Sequence, residues 1–200
     1  MAVTRTFGRV ARRLADCRRG AAALEFALAL PVTLMLIIGM LEVAMVMFVS
    51  TSVEGGLREA ARYGITGQMP ETGTREEAIV AIIDRYTMGF VDASPSNVSF
   101  KVYDSFNDVG QPEPWDDENG NGAYDAGETY TDLNGNAQWD EDRGTAGIGA
   151  SGDVVLYRID YDWSLITPFL ASVLGDDGVF HMSASVAVKN EPYDLGGQSS

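Results

Sequence analysis

Cysteine is nearly missing from this chain. Cys17 is the only one in 200 residues, so no disulfide can form within the chain, and the fold must rest on core packing, membrane attachment or metal. Histidine is equally scarce: His181 stands alone, on the polar side of an alternating stretch, and no serine or cysteine nucleophile is placed to pair with it. An enzyme is therefore not expected. Basic residues are absent where acidic ones are densest, since Asp104 to Asp142 contains no Lys or Arg. With a formal charge of −15 over the whole chain, nucleic acid is a poor partner. Finally, Glu42 is the only charge between Phe26 and Val49. That run supplies the ~20 apolar residues a membrane helix needs and outlasts the roughly 7–15-residue core of a cleaved secretory signal, so a transmembrane helix is expected.

What precedes the run sets its orientation. Arg5, Arg9, Arg12, Arg13, Arg18 and Arg19 face a single Asp16, and positive charge beside a membrane helix stays cytoplasmic. Residues 1–20 read as a basic cytoplasmic leader, 21–64 as the membrane helix and its extension, and 65–192 as an extracytoplasmic domain. Residues 104–152 read as an acidic insertion and 193–200 as a flexible tail. Beyond the membrane, Val53, Leu57, Ala60, Ala61 and Gly64 keep the helical spacing, Glu54 and Arg58 form a four-apart pair, and Gly64 is a plausible stop. Gly55-Gly56 marks a point where the helix could kink or break; Pro31 could kink it within the membrane.

Thr74 and Glu77 form a capping box for a second helix with a stripe of Ala78, Ile79, Ile82, Ile83 and Tyr86, ending near Gly89. The period then changes to two. Val98, Phe100 and Val102 share one face of a strand. Val155, Tyr157, Ile159, Tyr161 and Trp163 share a face opposite Arg158, Asp160 and Asp162, and Phe180, Met182, Ala184, Val186 and Val188 form a third alternating set. Thr167-Pro168 opens a short helix ending at Gly175. One-sided strands need a cover that amphipathic helices can supply. The fold class is thus α+β: a long N-terminal transmembrane helix running into a small domain of two to three helices on an antiparallel sheet of three to four strands.

The insertion carries the clearest chemistry. Asp117 to Glu128, "DENGNGAYDAGE", matches D-x-[DN]-x-[DN]-G-x₅-E at every specified position. Asp117, Asn119 and Asn121 place hard oxygens on alternate residues, Gly122 permits the sharp turn, Ala123 offers its carbonyl, Asp125 adds a ligand, and Glu128 can close the shell around calcium. Fifteen residues later "DLNGNAQWDEDR" repeats Asp132, Asn134, Asn136 and Asp140, with Gln138 at the carbonyl position and Trp139 in place of Tyr124. This copy is degenerate: Ala137 replaces the turn glycine and Arg143, which cannot ligate, replaces the closing glutamate, leaving Asp142 or Glu141 as substitutes. Pro112 and Pro114 stand where an entering helix would be, so the expectation is a compact pair of calcium loops rather than an EF-hand domain. The alternative is a disordered acidic insert.

Other motifs carry less. Gly147 to Gly152 fits G-x-G-x-x-G but follows the acidic loop and precedes a strand, the reverse of a dinucleotide fold, and reads as a flexible linker. Asn97-Val98-Ser99 fits a glycosylation pattern within an expected strand. Glu42 falls where ~30 Å of helix counted from Ala21 ends, at 1.5 Å per residue; it reads as an interfacial residue or a subunit contact.

Glu25 is harder to place, because a carboxylate near the start of an apolar helix needs a partner. "RRG" followed by "AAALEF" resembles the processing site of type IV prepilin-like proteins. The resemblance implies that a prepilin peptidase cuts after Gly20, that Ala21 becomes the new N-terminus, and that its amine pairs with Glu25 of the same or a neighbouring subunit. Taken with "REAARYG", "YDWSLITPF" and "VAVKNEP", the chain is similar to the TadE-like branch of the Tad, or Flp, pilus assembly proteins, and its small domain is expected to be pilin-like. Similarity to TadE and TadF implies a processed minor pseudopilin in the inner membrane, its domain periplasmic, partnered by other Tad pilus proteins and the inner-membrane platform. Oligomers would form through the N-terminal helix, and incorporation into the adhesive pilus itself is one outcome. Similarity to TadG implies instead an uncleaved anchor bearing a calcium-dependent adhesion module.

Overall fold

The computed structural model describes residues 18–174 and 178–192. The leader up to Cys17, Gly175 and the tail 193–200 lie outside the described residues. Helix α1 (Arg18–Ile65) runs through Pro31, Glu42 and Gly55-Gly56 without interruption. Among the described residues it is the one helix long and apolar enough to cross a membrane. From Leu24 to Leu41 its apolar side chains are exposed. Past Glu42 the pattern becomes one-sided, and Val49, Val53, Leu57, Ala60 and Ala61 are buried at spacings of three and four, the face an amphipathic helix turns to a core.

The glycine pair is explained by what crosses it. A Cβ on Gly56 would stand 3.0 Å from Cβ of Tyr86 and 3.3 Å from Cα of Ile83. The glycine therefore lets helix α2 (Arg75–Thr87) approach the α1 backbone, and the break considered there does not occur. Gly64 acts similarly toward the sheet: a Cβ there would overlap the Tyr157 hydroxyl and lie 2.9 Å from its Cζ, and Tyr157 is fully buried. Gly64→Ala is expected to lower stability by about 1–3 kcal/mol through overpacking. At Gly55 the new Cβ would meet the Tyr86 ring at an ordinary 3.6 Å, so Gly55→Ala is expected to be neutral or to gain up to about 1 kcal/mol of helix propensity. Thermal unfolding of the two variants in detergent checks the contrast, and equal losses would refute it.

Helix α2 starts with the expected box: the Glu77 amide donates to Thr74 Oγ1 at 3.1 Å and the Thr74 amide to Glu77 Oε2 at 2.9 Å. Its buried side is Arg75, Ile79, Val80, Ile83 and Thr87. Tyr86, expected in the stripe, is exposed instead, because its ring lies over the glycine pair at the rim of the helix crossing and Val80 takes the inner place. Arg75 reaches back to the Gly64 carbonyl at 2.6 Å, a cation at the negative end of α1.

The helices cover one face of a four-stranded antiparallel sheet, β1 (Val98–Tyr103), β2 (Thr145–Ala146), β3 (Val154–Ser164) and β4 (Val179–Lys189), in the order β2-β1-β3-β4. Val155, Tyr157, Ile159 and Tyr161 are buried under the helices, while Arg158 and Asp160 pair outside at 2.8 Å. Alternation on β4 is only half-buried, as suits an edge strand. Strand β2 makes the fourth of the three to four strands expected, at residues the pattern does not mark, since two residues cannot show a period; it forms where the chain leaving the insertion pairs with Lys101 and Val102. Between β3 and β4 lies α3 (Pro168–Leu174), with Pro168 in its first turn.

Two smaller expectations change. Gly147 to Gly152 is no linker: buried Asn190 donates to the carbonyls of Ile148 and Ala150 at 3.1 and 2.9 Å, and the Ala150 amide donates to Asp153 at 2.7 Å. Asn97 sits just before β1, its carboxamide engaged with the Ser94 amide and the Asp92 carbonyl.

Candidate functional site

Gly20, Ala21 and Glu25 occupy the first turns of α1 and are exposed, with nothing within 4 Å of a Cβ placed on Gly20. Glu42 is different. It is 3% exposed although it lies on the apolar helix, and its carboxylate accepts from the amides of Ile166 and Thr167, the latter at 3.0 Å, and from the Thr167 hydroxyl. The carbonyl of Thr167 accepts from Ala171 at 2.9 Å, making Thr167 the N-cap of α3. Glu42 thus binds the N-cap amide and the one before it at a helix start, where a negative charge is favoured. Neither sequence reading of Glu42 included this partner within the chain.

The insertion is fastened at its neck. Arg143, which stands where the second loop lacks its glutamate, pairs with Asp108 at 2.9 Å and donates to the Pro112 carbonyl at 3.0 and 2.7 Å. Asp142 accepts from Lys101 Nζ at 2.7 Å, from the Tyr103 hydroxyl at 2.9 Å and from the Gly144 amide at 3.1 Å. Burial alone would raise the Asp142 carboxyl; these donors outweigh it and hold the group below the usual carboxylate range. Burial and the Asp142 charge push the Tyr103 phenol up. Asp142 borders the same hollow as Asn134, Asn136 and Asp140, yet its oxygens serve the sheet.

Between residues 109 and 144 there is no helix, so neither loop has the flanks of an EF-hand. In the first loop Asp117 accepts from the amides of Gly120 and Gly122 at 2.7 and 2.8 Å. The carboxamides of Asn119 and Asn121 both reach Asp125 Oδ2 at 2.7 Å. Glu128 accepts from the amides of Glu118 at 3.2 Å and Asp125 at 2.9 Å. Ala123 contributes its amide to Asn121 Oδ1 at 2.7 Å.

The second loop repeats this pattern. Asp132 accepts from Gly135 and Ala137 at 2.6 and 2.8 Å, bonds that, led by the one from Ala137, hold its carboxyl low. Asn134 and Asn136 reach Asp140 Oδ2 at 2.5 and 2.6 Å, and the Gln138 amide donates to Asn136. Ala137 adopts φ +62, close to the +78 of Gly122 at the same place, a conformation that costs a side-chain-bearing residue roughly 1–2 kcal/mol. The chain follows the loop path without the glycine.

The closing carboxylate missing from the second loop is supplied by Glu113. It is completely buried and accepts from the amides of Leu133 at 2.7 Å, Asn134 at 3.3 Å and Asp140 at 3.2 Å. These amides stand where Glu118, Asn119 and Asp125 stand in the first loop. Glu113 precedes Asp117 by the same four positions that Glu128 precedes Asp132. Each fifteen-residue repeat therefore lends its leading glutamate to the other's loop, and the two halves are related by an approximate two-fold exchange. Between them, Tyr124 stacks on Trp139 at 4.4 Å, Tyr130 and Trp115 add edge contacts, and Trp115 bridges Tyr130 through the backbone. Reading the second loop only forward to Arg143 misses Glu113; aligning the repeats finds it.

Hard oxygens, a carbonyl position and a closing glutamate are the donor set calcium takes. Among the described residues no three Asp, Glu, His or Cys side chains converge closely enough to hold an ion on their own. The groups gathered in each loop are one aspartate and two carboxamides, whose nitrogens donate to that aspartate while their oxygens accept from backbone amides of the loop.

The family model described as TadE-like protein matches residues 20–62, the span from the RRG junction through the lipid-like half of α1 and into its amphipathic half. It agrees with the resemblance drawn from the N-terminal motif. No curated protein and no solved structure matches the chain.

Proposed function

We propose that this chain is a membrane-anchored minor pseudopilin of a Tad pilus assembly system, processed after Gly20 and carrying a calcium-stabilised docking module on its outer domain. The TadE-like match over residues 20–62 supports the reading most, because it begins at the junction where "RRG" meets "AAALEF". Helix α1 spans the inner membrane with its basic leader in the cytoplasm, and residues 65–192 face the periplasm. Cleavage places the Ala21 amine near Glu25 of its own or an adjacent copy, where the pair offsets the cost of holding a carboxylate in a low-dielectric helix bundle.

Asp117, Asn119, Asn121, Asp125 and Glu128, with the Ala123 carbonyl, would hold one calcium ion. Asp132, Asn134, Asn136, Asp140 and Glu113, with the Gln138 carbonyl, would hold a second. The ions would relieve part of the repulsion in a segment from Asp104 to Asp142 that has twelve acidic residues and no basic one, and would stiffen the paired loops as a surface for other Tad proteins. Their role is structural, since no helix pair flanks the loops to be opened.

The test is the intact mass of the protein from membranes containing its prepilin peptidase. A chain beginning at Ala21, lost in Gly20→Arg, is expected. Retention of the arginine-rich leader beside an active peptidase would overturn the pseudopilin assignment.

A further inference from the structure

The turn-and-helix segment between β3 and β4 presents an apolar face that the domain does not use. Ile166 is 77% exposed, Phe169 59% and Val173 62%, and all three flank or belong to α3. Its position along α1 is fixed by two contacts. Leu170 Cδ1 lies 4.0 Å from a Cβ built on Gly39, and Glu42 holds the amides of Ile166 and Thr167. Counting ~30 Å of hydrocarbon from Ala21 at 1.5 Å per residue reaches Leu41, so α3 lies beside the turn where α1 leaves the bilayer. The neighbouring Met40 and Leu41 are exposed as well, and the apolar surface continues from the membrane helix onto α3.

We infer that Ile166, Phe169 and Val173 form a foot that enters the outer leaflet of the membrane that α1 crosses, its partner being the upper acyl chains and not another protein. The inference rests on the spanning reading of α1. Its chemistry is that of an interfacial apolar element, which buries its face roughly 5–10 Å into the boundary between headgroups and chains. Glu42 makes this placement tolerable. Its charge is enclosed by the amides of Ile166 and Thr167, just before α3, and by the Thr167 hydroxyl, so the carboxylate meets donors rather than lipid. With α1, the foot gives the domain a second attachment point and limits its tilt against the bilayer surface.

The test uses the full chain with Cys17→Ser in phosphatidylcholine–phosphatidylglycerol vesicles. An environment-sensitive fluorophore is placed in turn at Phe169→Cys, at Val32→Cys within the span, and at Glu118→Cys on the insertion. Lipids bear nitroxides either high on the acyl chain or near its end. The Phe169 label is expected to shift to the blue and to be quenched roughly twofold more by the high nitroxide than by the deep one, as an interfacial depth requires. The Val32 label should prefer the deep nitroxide and the Glu118 label should meet neither. Quenching at Val32 without quenching at Phe169 would overturn the foot while leaving the span intact. No quenching at Val32 would remove the span and the foot with it. A blue shift at Phe169 that grows with protein-to-lipid ratio, without lipid quenching, would assign the face to a second copy and also overturn the inference.

Discussion

Glu42→Ala is expected to free α3 from the membrane helix and to lower the stability of the outer domain by about 2–4 kcal/mol, the cost of stranding several buried donors at once. Ile166 and Thr167 would lose the acceptor for their amides, and Thr167 the acceptor for its hydroxyl. Little solvent reaches the Thr167 donors to replace it, since Glu42 is 3% and Thr167 6% exposed, whereas the Ile166 amide is only partly buried. Glu42→Gln keeps one acceptor oxygen but gives up the charge at the helix start, so a loss of about 1–2 kcal/mol is expected. Thr167→Val removes only the hydroxyl and should cost least. Thermal unfolding in detergent ranks the three, and hydrogen exchange at Ile166 and Thr167 assigns the effect. Unchanged amide protection in Glu42→Ala would show that the carboxylate does not cap α3.

Local features of this fold were legible in the sequence and distant ones were not. The Thr74–Glu77 box, Pro168 in the first turn of α3, and the alternation of β3 each depend on residues a few positions apart, and all appear where their spacing placed them. The Glu42 cap joins residues 124 and 125 positions apart, and nothing in the composition of α1 distinguishes a carboxylate facing headgroups from one facing a helix start. Tyr86 was misplaced for a related reason. Its position depends on the glycines of a different helix, which a stripe drawn on α2 alone cannot include. At the insertion the motif gave the loop residues, while its forward direction hid Glu113 and made Asp142 the natural substitute. The repeat length held the missing information, because fifteen residues separate Glu113 from Glu128 as they separate Asp117 from Asp132.

That exchange of glutamates leads to the second large effect. If each loop holds calcium, Glu113→Gln should reduce the stoichiometry from two ions to one by emptying the second loop, and Glu128→Gln should do the same by emptying the first. Each ion lost removes the stabilisation that binding confers on the folded state, about 2.7 kcal/mol at a calcium concentration one hundred times Kd, and chelation of the unaltered protein should remove both contributions. Glu113→Ala goes further. It also deprives the amides of Leu133, Asn134 and Asp140 of their acceptor, so the insertion should lose about 2–4 kcal/mol even without calcium. Asp142→Asn separates docking from ligation: its bonds run to Lys101 and Tyr103, so both ions should remain while the neck loosens. Calorimetric titration and native mass spectrometry of the four variants give the counts. If Glu113→Gln destabilises the insertion yet binds as many ions as the unaltered chain, Glu113 is a structural acceptor alone. If neither glutamine variant nor the unaltered protein binds at millimolar calcium, the paired loops are held by their Asx hydrogen bonds and stacked aromatics without metal.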